Sequence, residues 1–487
     1  MVWSLYCETL VRRPDATVVG AGPNGLAAAL TLARAGLSVD VYEGSDTPGG
    51  GCRTQELTLP GFHHDVCSAV HPLLVASPFF QGLDLSALGV SLLTPTVSFA
   101  HPLDGGRAAA VLRSVEDTAA GLGVDGRTYR RMFSWLAEDA EKILPTFLAP
   151  LRSIPRNPIV TARFGLTGLL SAKTVASRFS SDESRALVAG AAAHSMLPMT
   201  APLSGAMARL FIMLAHSVGW PIVRGGSARI VDALCSQIES LGGRILTGTW
   251  VKSLGDLPPT TATVLDVTPR QLIAMAGDHM PGPYRRSLER FRYGPGICKV
   301  DWALSGPVPW SAPQCRDALT VHVCGDFADV ARSESDVNAG RHTDKPYCLV
   351  TQPCVMDQTR APEGKHVLWG YCHVPNGSSV DMRERMEAQI ERFAPGFRDL
   401  ILAHATVTAV QAEEHNPSYV GGDINAGAAS LRQTVFRPTA RWNPYRTGLK
   451  GVYLCSGSTP PGGGVHGMCG EGAAKTALHD LRRSSTL

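Results

Sequence analysis

Apolar and polar positions along this chain switch between a period near two and a period near 3.6, and the switches mark its elements. Ala16–Val19 is a short apolar, β-branched run that reads as a strand. Three glycines follow, and then an Ala/Leu-rich segment that reads as helix as far as Ala35, where Gly36 supplies a C-terminal stop. A second strand is expected at Ser38–Tyr42, and the alternation in "TQELTLPGF" suggests a further one. Helical patterns dominate residues 75–220, as in "SVEDTAAGLGVDGRTYRRMFSWLAEDAEKIL". At 224–254 the pattern changes again: Ile230, Leu234, Ile238 and Leu241 keep a helical register closed by Gly242–Gly243, and "RILTGTWVKSL" reads as strands. "TATVLDVTPRQLIAMAG" follows as a strand and turn. From about 288 to 435 the reading is mixed, with strands in "GICKVDWAL", "YCLVTQP" and "HVLWGYCHV" and a helix in "DMRERMEAQIERFA".

The first glycine cluster completes a nucleotide-binding unit. Gly20, Gly22 and Gly25 spell G-x-G-x-x-G after a strand and at the opening of a helix. One glycine serves the tight turn, one lets backbone N–H groups approach a pyrophosphate, and one allows close helix–strand packing. The second strand ends in Glu43, eighteen residues after Gly25, where a carboxylate can accept both ribose hydroxyls of an adenosine. A second match, Gly462, Gly464 and Gly467 in "TPPGGGVHGMCGEG", cannot be a second such unit, because no strand and acid follow it about 20 residues on. The nucleotide-related elements therefore fall in separated pieces, which favours one discontinuous domain with a second inserted between them.

Totals narrow the class further. A chain of 487 residues suggests two or three compact regions. Forty-five basic residues stand against 42 acidic ones with no long block of either sign, so nothing argues for a nucleic-acid partner. Twelve cysteines are scattered without C-x-x-C or zinc-ligand spacing, so no metal site is expected and the close cysteine pair of a disulfide reductase is missing. The opening residues lack the apolar core of a secretory signal, and a cytoplasmic protein with reduced thiols is expected. The most apolar stretch, 204–223, is interrupted by Arg209 and His216 and reads as a core or substrate-pocket helix, with peripheral membrane contact as the alternative. The oligomeric state is left open.

At these motifs the chain resembles the phytoene-desaturase-like FAD-dependent oxidoreductases, and within them the branch typified by pyridine nucleotide-disulfide oxidoreductase domain-containing protein 2. The resemblance rests on Gly20-Gly22-Gly25 with Glu43, the doublet Gly49-Gly50, "PGFHHDVCSAVHPL", "GGRILTGTWV" and "GVYLCSGSTPPGGGVHGMCG". It implies an α/β fold of amine oxidase / phytoene desaturase type: a discontinuous Rossmann-like FAD-binding domain (15–74, 222–287 and 436–487) with an inserted mixed α+β substrate domain (75–221 and 288–435). It implies FAD as cofactor, held by Gly20, Gly22, Gly25, Glu43, Gly49, Gly50, Arg53, Val251, Gly457, Gly464, Val465, Gly467 and Met468. The terminal glycines would run past the flavin ring and open a helix whose N–H groups face its reducible edge. Two departures stand out: Pro460 occupies a position where relatives commonly carry His, and Gly51 one where many carry Arg, with Arg53 two residues later.

The resemblance also implies the chemistry. The flavin takes electrons from a C–H bond while the protein positions that bond. With no second nicotinamide-binding unit, the electrons are expected to come from an apolar small-molecule substrate, with dioxygen or a quinone reoxidising the flavin. Lys299, in "GICKVDWALSGPVPW", is similar in setting to the lysine that monoamine-oxidase-type flavoproteins place beside the flavin. His71 and His466 are the expected proton carriers. Dehydrogenation, of the kind a natural-product tailoring step performs, leads the alternatives of amine oxidation, redox-neutral isomerisation or cyclisation, and flavin binding without turnover.

Overall fold

The computed structural model describes residues 13–150 and 154–484. Two sheets organise them. The first has five parallel strands in the order Val452–Leu454, Ala262–Leu265, Ala16–Val19, Val39–Tyr42, Arg244–Leu246. Its central strand, Ala16–Val19, is buried throughout and pairs on both sides, which accounts for its apolar, unalternating sequence. The second sheet has seven strands, in the order Ile401–Val407, Gly296–Leu304, His366–Val374, Cys348–Thr351, Ala318–Val323, Val97–Leu103, Arg107–Leu112. It is antiparallel except where Ala318–Val323 runs parallel to Val97–Leu103. A helical layer from residues 115–147 and 158–217 shares a core with one face of this sheet, through Phe99, Tyr129, Phe133, Ile212, Met213 and Tyr347. The three stretches that supply the first sheet are separated in sequence by those that supply the second.

Helix Pro23–Arg34 packs on the C-terminal helix Met468–Ser484. The approach is closest at Gly470, where a Cβ would fall on the Asn24 carbonyl oxygen. Gly467 is next, its absent Cβ lying 3.0 Å from the Ala27 Cβ and 2.7 Å from a Phe79 ring carbon. Small residues at these positions let the two ends of the described chain meet as one packed layer.

A buried ionic layer joins the two sheet systems. Arg360 donates to Asp65 at 2.9 Å, and Asp65 also accepts from the Ser227 backbone and hydroxyl at 2.8 and 2.9 Å. Lys299 pairs with Asp301, whose other oxygen lies 3.5 Å from His64. Loss of hydration pushes Asp301 up to about 6 and, with Lys299 and Arg360 nearby, His64 down to about 3.

Several local expectations are corrected. "TQELTLPGF" contributes only Thr54–Gln55, paired with His64–Asp65, because the intervening residues form a turn. The strand Arg244–Leu246 stops short of Trp250: Asp256 accepts the backbone N–H groups of Lys252 and Ser253 at 2.9 Å and draws that stretch into a turn. The residues after "TATVLDV" form a helix, Pro269–Ala276, capped reciprocally by Thr268 and Gln271. Helix Ser204–Ser217, by contrast, is buried as the core-helix reading expects: Arg209 lies 5.6 Å from the Trp135 ring and the His216 ring is bonded to the Tyr129 hydroxyl at 2.6 Å. No described helix is long and apolar enough to cross a membrane.

Gly470→Ala should lower stability by about 1–3 kcal/mol, the ordinary cost of overpacking a close contact. Gly165, in the helix Pro158–Gly168, has nothing within 4 Å of the position a methyl group would take, so Gly165→Ala should be neutral or stabilising by up to about 1 kcal/mol. Denaturant titration of both variants measures the contrast; equal stabilities would show that the helix contact is not tight.

Candidate functional site

One cavity of about 560 Å³ runs from the carboxyl ends of the first sheet to the inner face of the second. At the first sheet its walls are Gly20, Gly22, Glu43, Gly50, Arg53, Trp250, Val251 and Asp266. The walls at the second sheet are Trp369, Tyr371, Thr320, Thr351 and Leu349, closed by His71, His194, Phe211 and Trp220 from the helical side. The terminal loop contributes Gly457, Gly463, Gly464 and Val465 to the same cavity.

Glu43 is anchored before any ligand reaches it. Its carboxylate accepts the Ala21 N–H at 2.8 Å and the Ser45 N–H at 2.9 Å, which leaves further lone pairs for hydroxyl donors. Arg53 donates to the Thr47 carbonyl at 2.8 Å and lies 3.7 Å from Glu43, so its guanidinium braces the loop that carries Gly49 and Gly50. The position between the doublet and Arg53 excludes a long side chain: a Cβ at Gly51 would come within 2.5 Å of the Tyr419 hydroxyl.

Asp266, at the end of the strand Ala262–Leu265, is a site residue that the sequence reading missed. Its carboxylate accepts the Gly25 N–H at 2.9 Å and so caps helix Pro23–Arg34, whose own cap position, Gly22, has no side chain to do it. A Cβ at Gly22 would lie 2.9 Å from the same oxygen. Burial, reinforced by Glu43, pushes the Asp266 carboxyl up to about 7. The signal was available: an acid directly after a β-branched strand, in a chain whose helix opens on glycine. Trp250 was missed too; its ring covers Gly44, where a Cβ would collide with it, and half its surface stays exposed.

Of the residues expected around the cofactor, Gly20, Gly22, Glu43, Gly50, Arg53, Val251, Gly457, Gly464 and Val465 line the cavity. Gly25, Gly49, Gly467 and Met468 shape it from behind: Gly25 through Asp266, Gly49 through its N–H on the Ala21 carbonyl, Gly467 and Met468 as the start of the terminal helix. Among the expected catalytic groups, His71 lines the cavity, and neither ring nitrogen has a partner although the residue is buried. Burial lowers His71 to about 4, so its ring is neutral. His466 is committed elsewhere. Its Nε2 donates to the Gly462 carbonyl at 3.1 Å and its Nδ1 accepts the Met468 N–H at 3.1 Å, which makes it a brace of the terminal loop and not a wall of the cavity. Lys299 is likewise outside the lining, paired with Asp301 and 5.7 Å from the centre of the Trp369 ring.

The aromatic half of the cavity holds a feature no motif announced. His194 and His322 share a hydrogen bond between their Nε2 atoms at 2.9 Å, with burial lowering His194 to about 3 and holding His322 well below the ordinary imidazole range. Phe211 lies 4.5 Å and Trp220 5.6 Å from the His194 ring. Among the described residues no cluster of His, Cys, Asp and Glu could hold a metal ion.

The donor set fits a dinucleotide. A carboxylate is placed for ribose, a glycine turn leads into a helix N-terminus for a diphosphate, and the terminal loop lies along the route to the aromatic half. Comparison with known proteins agrees with this geometry. Residues 18–79 match the NAD(P)-binding Rossmann-like domain. The chain is 26% identical to pyridine nucleotide-disulfide oxidoreductase domain-containing protein 2 of Mus musculus, across 96% of this chain and 94% of that one. It is 25% identical to phytoene desaturase of Fusarium fujikuroi, across 96% and 89%. The chain is a homologue of both proteins. Cyclohexylamine oxidase from Brevibacterium oxydans IH-35A shares the fold, with a TM-score of 0.60 at 16% identity over 97% of this chain and 100% of that one. The α/β fold expected from the sequence is therefore the one observed.

A carboxyl that holds its proton more tightly folded than unfolded stabilises the fold fully below its ordinary value near 3.8, and that stabilisation is lost as the pH rises through about 7. Asp266→Asn keeps an oxygen for the Gly25 N–H and cannot ionise. Its melting temperature relative to wild type should therefore rise between about pH 4 and about pH 7 and level off above. Thermal scans across that range measure it; a difference independent of pH would show that Asp266 does not titrate there.

Proposed function

We propose that this chain is an FAD-dependent oxidoreductase that dehydrogenates an uncharged, largely apolar small molecule. The observation that carries this reading is the continuity of the cavity, which joins the Glu43 and glycine-turn end to an aromatic chamber, with no second nucleotide-binding unit among the described residues. The homology to a phytoene desaturase supports it.

In this reading Glu43 accepts the ribose hydroxyls and the Val251 backbone, flanked by Trp250, meets the adenine. The N–H groups around Gly22 and the turn at Gly49–Gly51 face the diphosphate. The backbone of Gly464–Val465, which lines the same cavity, would hold the far end of the cofactor. FAD supplies, when bound, an acceptor for the hydride of a C–H bond, and dioxygen or a quinone then removes the electrons. The chain's own contribution is position and dryness. Phe211, Trp220, Trp369 and Tyr371 exclude water and offer broad apolar surface, and the backbone N–H of His71 bonds to the Pro221 carbonyl at 2.8 Å, which fixes its unpartnered ring in the wall.

The cyclohexylamine oxidase fold raises amine oxidation as a second reading, but the lining argues against a cationic substrate. The only carboxylates that line the cavity among the described residues, Glu43 and Asp266, stand at the nucleotide end. An ammonium in the aromatic chamber would lose its hydration without a counter-charge.

Anaerobic mixing of the FAD-loaded protein with matched hydrocarbons, ketones, alcohols and amines tests the reading. An uncharged compound should bleach the visible flavin band and emerge with a new carbon–carbon double bond. Bleaching by amines alone, or by NADPH alone, would overturn it. Glu43→Gln should raise the FAD dissociation constant by ~10- to 100-fold, the worth of a hydrogen bond to a charged group. A flavin-fluorescence binding curve superimposable on wild type would remove Glu43 from the site.

A further inference from the structure

The aromatic chamber is rich in hydrogen-bond donors that have nothing to bond. Trp369 lines it with an indole N–H that can only donate, and that nitrogen is buried without a partner. His71 lines it with two buried, unpartnered ring nitrogens, one of which carries a proton in the neutral ring. Leaving such groups unsatisfied is costly, so they point to a ligand that brings acceptors.

The His194–His322 pair sharpens this. A bond between two Nε2 atoms requires one imidazole to donate and the other to accept. Were His322 the acceptor, its own proton would sit on Nδ1, which is buried and unpartnered. That nitrogen faces the position an added Cβ of Gly190 would take, 2.8 Å away, and the His101 Nδ1 lies 2.5 Å from the same point. His101 uses its Nε2–H on the Gly325 carbonyl at 2.6 Å, so its Nδ1 is an unpartnered acceptor. Orphaned buried N–H groups are rarer than orphaned acceptors, so the cheaper arrangement has His322 donating from Nε2. His194 then accepts at Nε2 and carries its proton on Nδ1. His194 lines the cavity and is itself only partly buried, so this N–H is available to a ligand.

We infer that His194, with its tautomer fixed by His322, donates a hydrogen bond to a carbonyl oxygen of the substrate, so that the molecule dehydrogenated is an uncharged carbonyl compound oxidised across its α,β carbon–carbon bond. This rests on the FAD-dependent reading above. The bond changes balance as follows. The α C–H bond, acidified by the polarised carbonyl, gives its proton to the unprotonated nitrogen of His71. The β C–H bond would break with both of its electrons, its hydrogen leaving as hydride to the FAD held at the glycine-turn end, which would be reduced by two electrons. The carbon–carbon double bond forms and the carbonyl is unchanged. His194 and His71 touch the substrate, and His322 is a positioning residue acting through His194.

The test uses the FAD-loaded protein and three probes of one shape: 4-phenylcyclohexanone, 4-phenylcyclohexylamine and phenylcyclohexane, titrated anaerobically against the flavin spectrum. The ketone should bind about tenfold more tightly than the other two, the worth of one hydrogen bond that the others cannot make. His194→Ala should remove that preference, so that the ketone loses about tenfold relative to phenylcyclohexane whatever the change common to all three probes. In His322→Phe the preference should shrink, because both His194 tautomers become accessible. Histidine 15N NMR, with or without FAD, should show His194 protonated at Nδ1 and bare at Nε2. Tighter binding of the amine, equal binding of all three, no binding of the ketone, or a His194 proton on Nε2 would each overturn the proposal. A colourless protein that cannot be reconstituted with FAD would instead remove the reading beneath it, and the NMR result, which needs no cofactor, separates the two failures.

Discussion

The architecture depends on one steric condition: the helix that follows the terminal glycine loop must lie against the helix that follows the first glycine turn. Gly470 sits where any side chain would meet the Asn24 carbonyl, and Gly467 sits between Ala27 and Phe79. Because these helices touch, the loop carrying Gly464 and Val465 runs over the same cavity as Gly20 and Gly22. A cavity wall built from residues more than 400 positions apart exists only once the whole fold has closed. The strand Val452–Leu454 completes the arrangement by joining the first sheet beside Ala262–Leu265.

Electrostatics then divide the cavity by function. Charged side chains are kept at the nucleotide end, in Glu43 and Arg53 beside the titratable Asp266, or sealed behind the walls, in Lys299 with Asp301 and Asp65 with Arg360. The aromatic chamber is neutral because burial outweighs every nearby charge on its histidines: His71 and His194 are both driven far below the ordinary imidazole range. A neutral, donor-bearing, carboxylate-free chamber beside a cofactor cradle suits redox chemistry on uncharged carbon, where a stray ion would cost hydration energy and a stray water would compete for the reactive site.

Much of this was legible because the first sheet is built from local signals. A β-branched run, three glycines, an Ala/Leu helix and a strand ending in Glu43 each follow from neighbouring residues, and each stands where the pattern puts it. What escaped depends on contacts between distant segments. Asp266 matters because the strand before it lands next to Ala16–Val19, a pairing across about 246 residues that no periodicity announces. His194 and His322 lie 128 residues apart and meet only because the helix ending at Ala193 crosses the strand Ala318–Val323. His466 looked chemical by type and by its place among glycines, but the tightness of that same loop turns its ring onto backbone groups. Gly51 looked like a departure until Tyr419, from 368 residues further on, filled the space a longer side chain would need.

The central claim is that both ends of the described chain close around one dinucleotide cofactor, and cofactor content measures it most directly. Protein purified without added flavin, or reconstituted by incubation with FAD, should carry the visible flavin absorption band. Heat should release FAD, identified by mass, at about one molecule per chain. A colourless protein that takes up no FAD, or one that releases only a nicotinamide dinucleotide, would contradict the account.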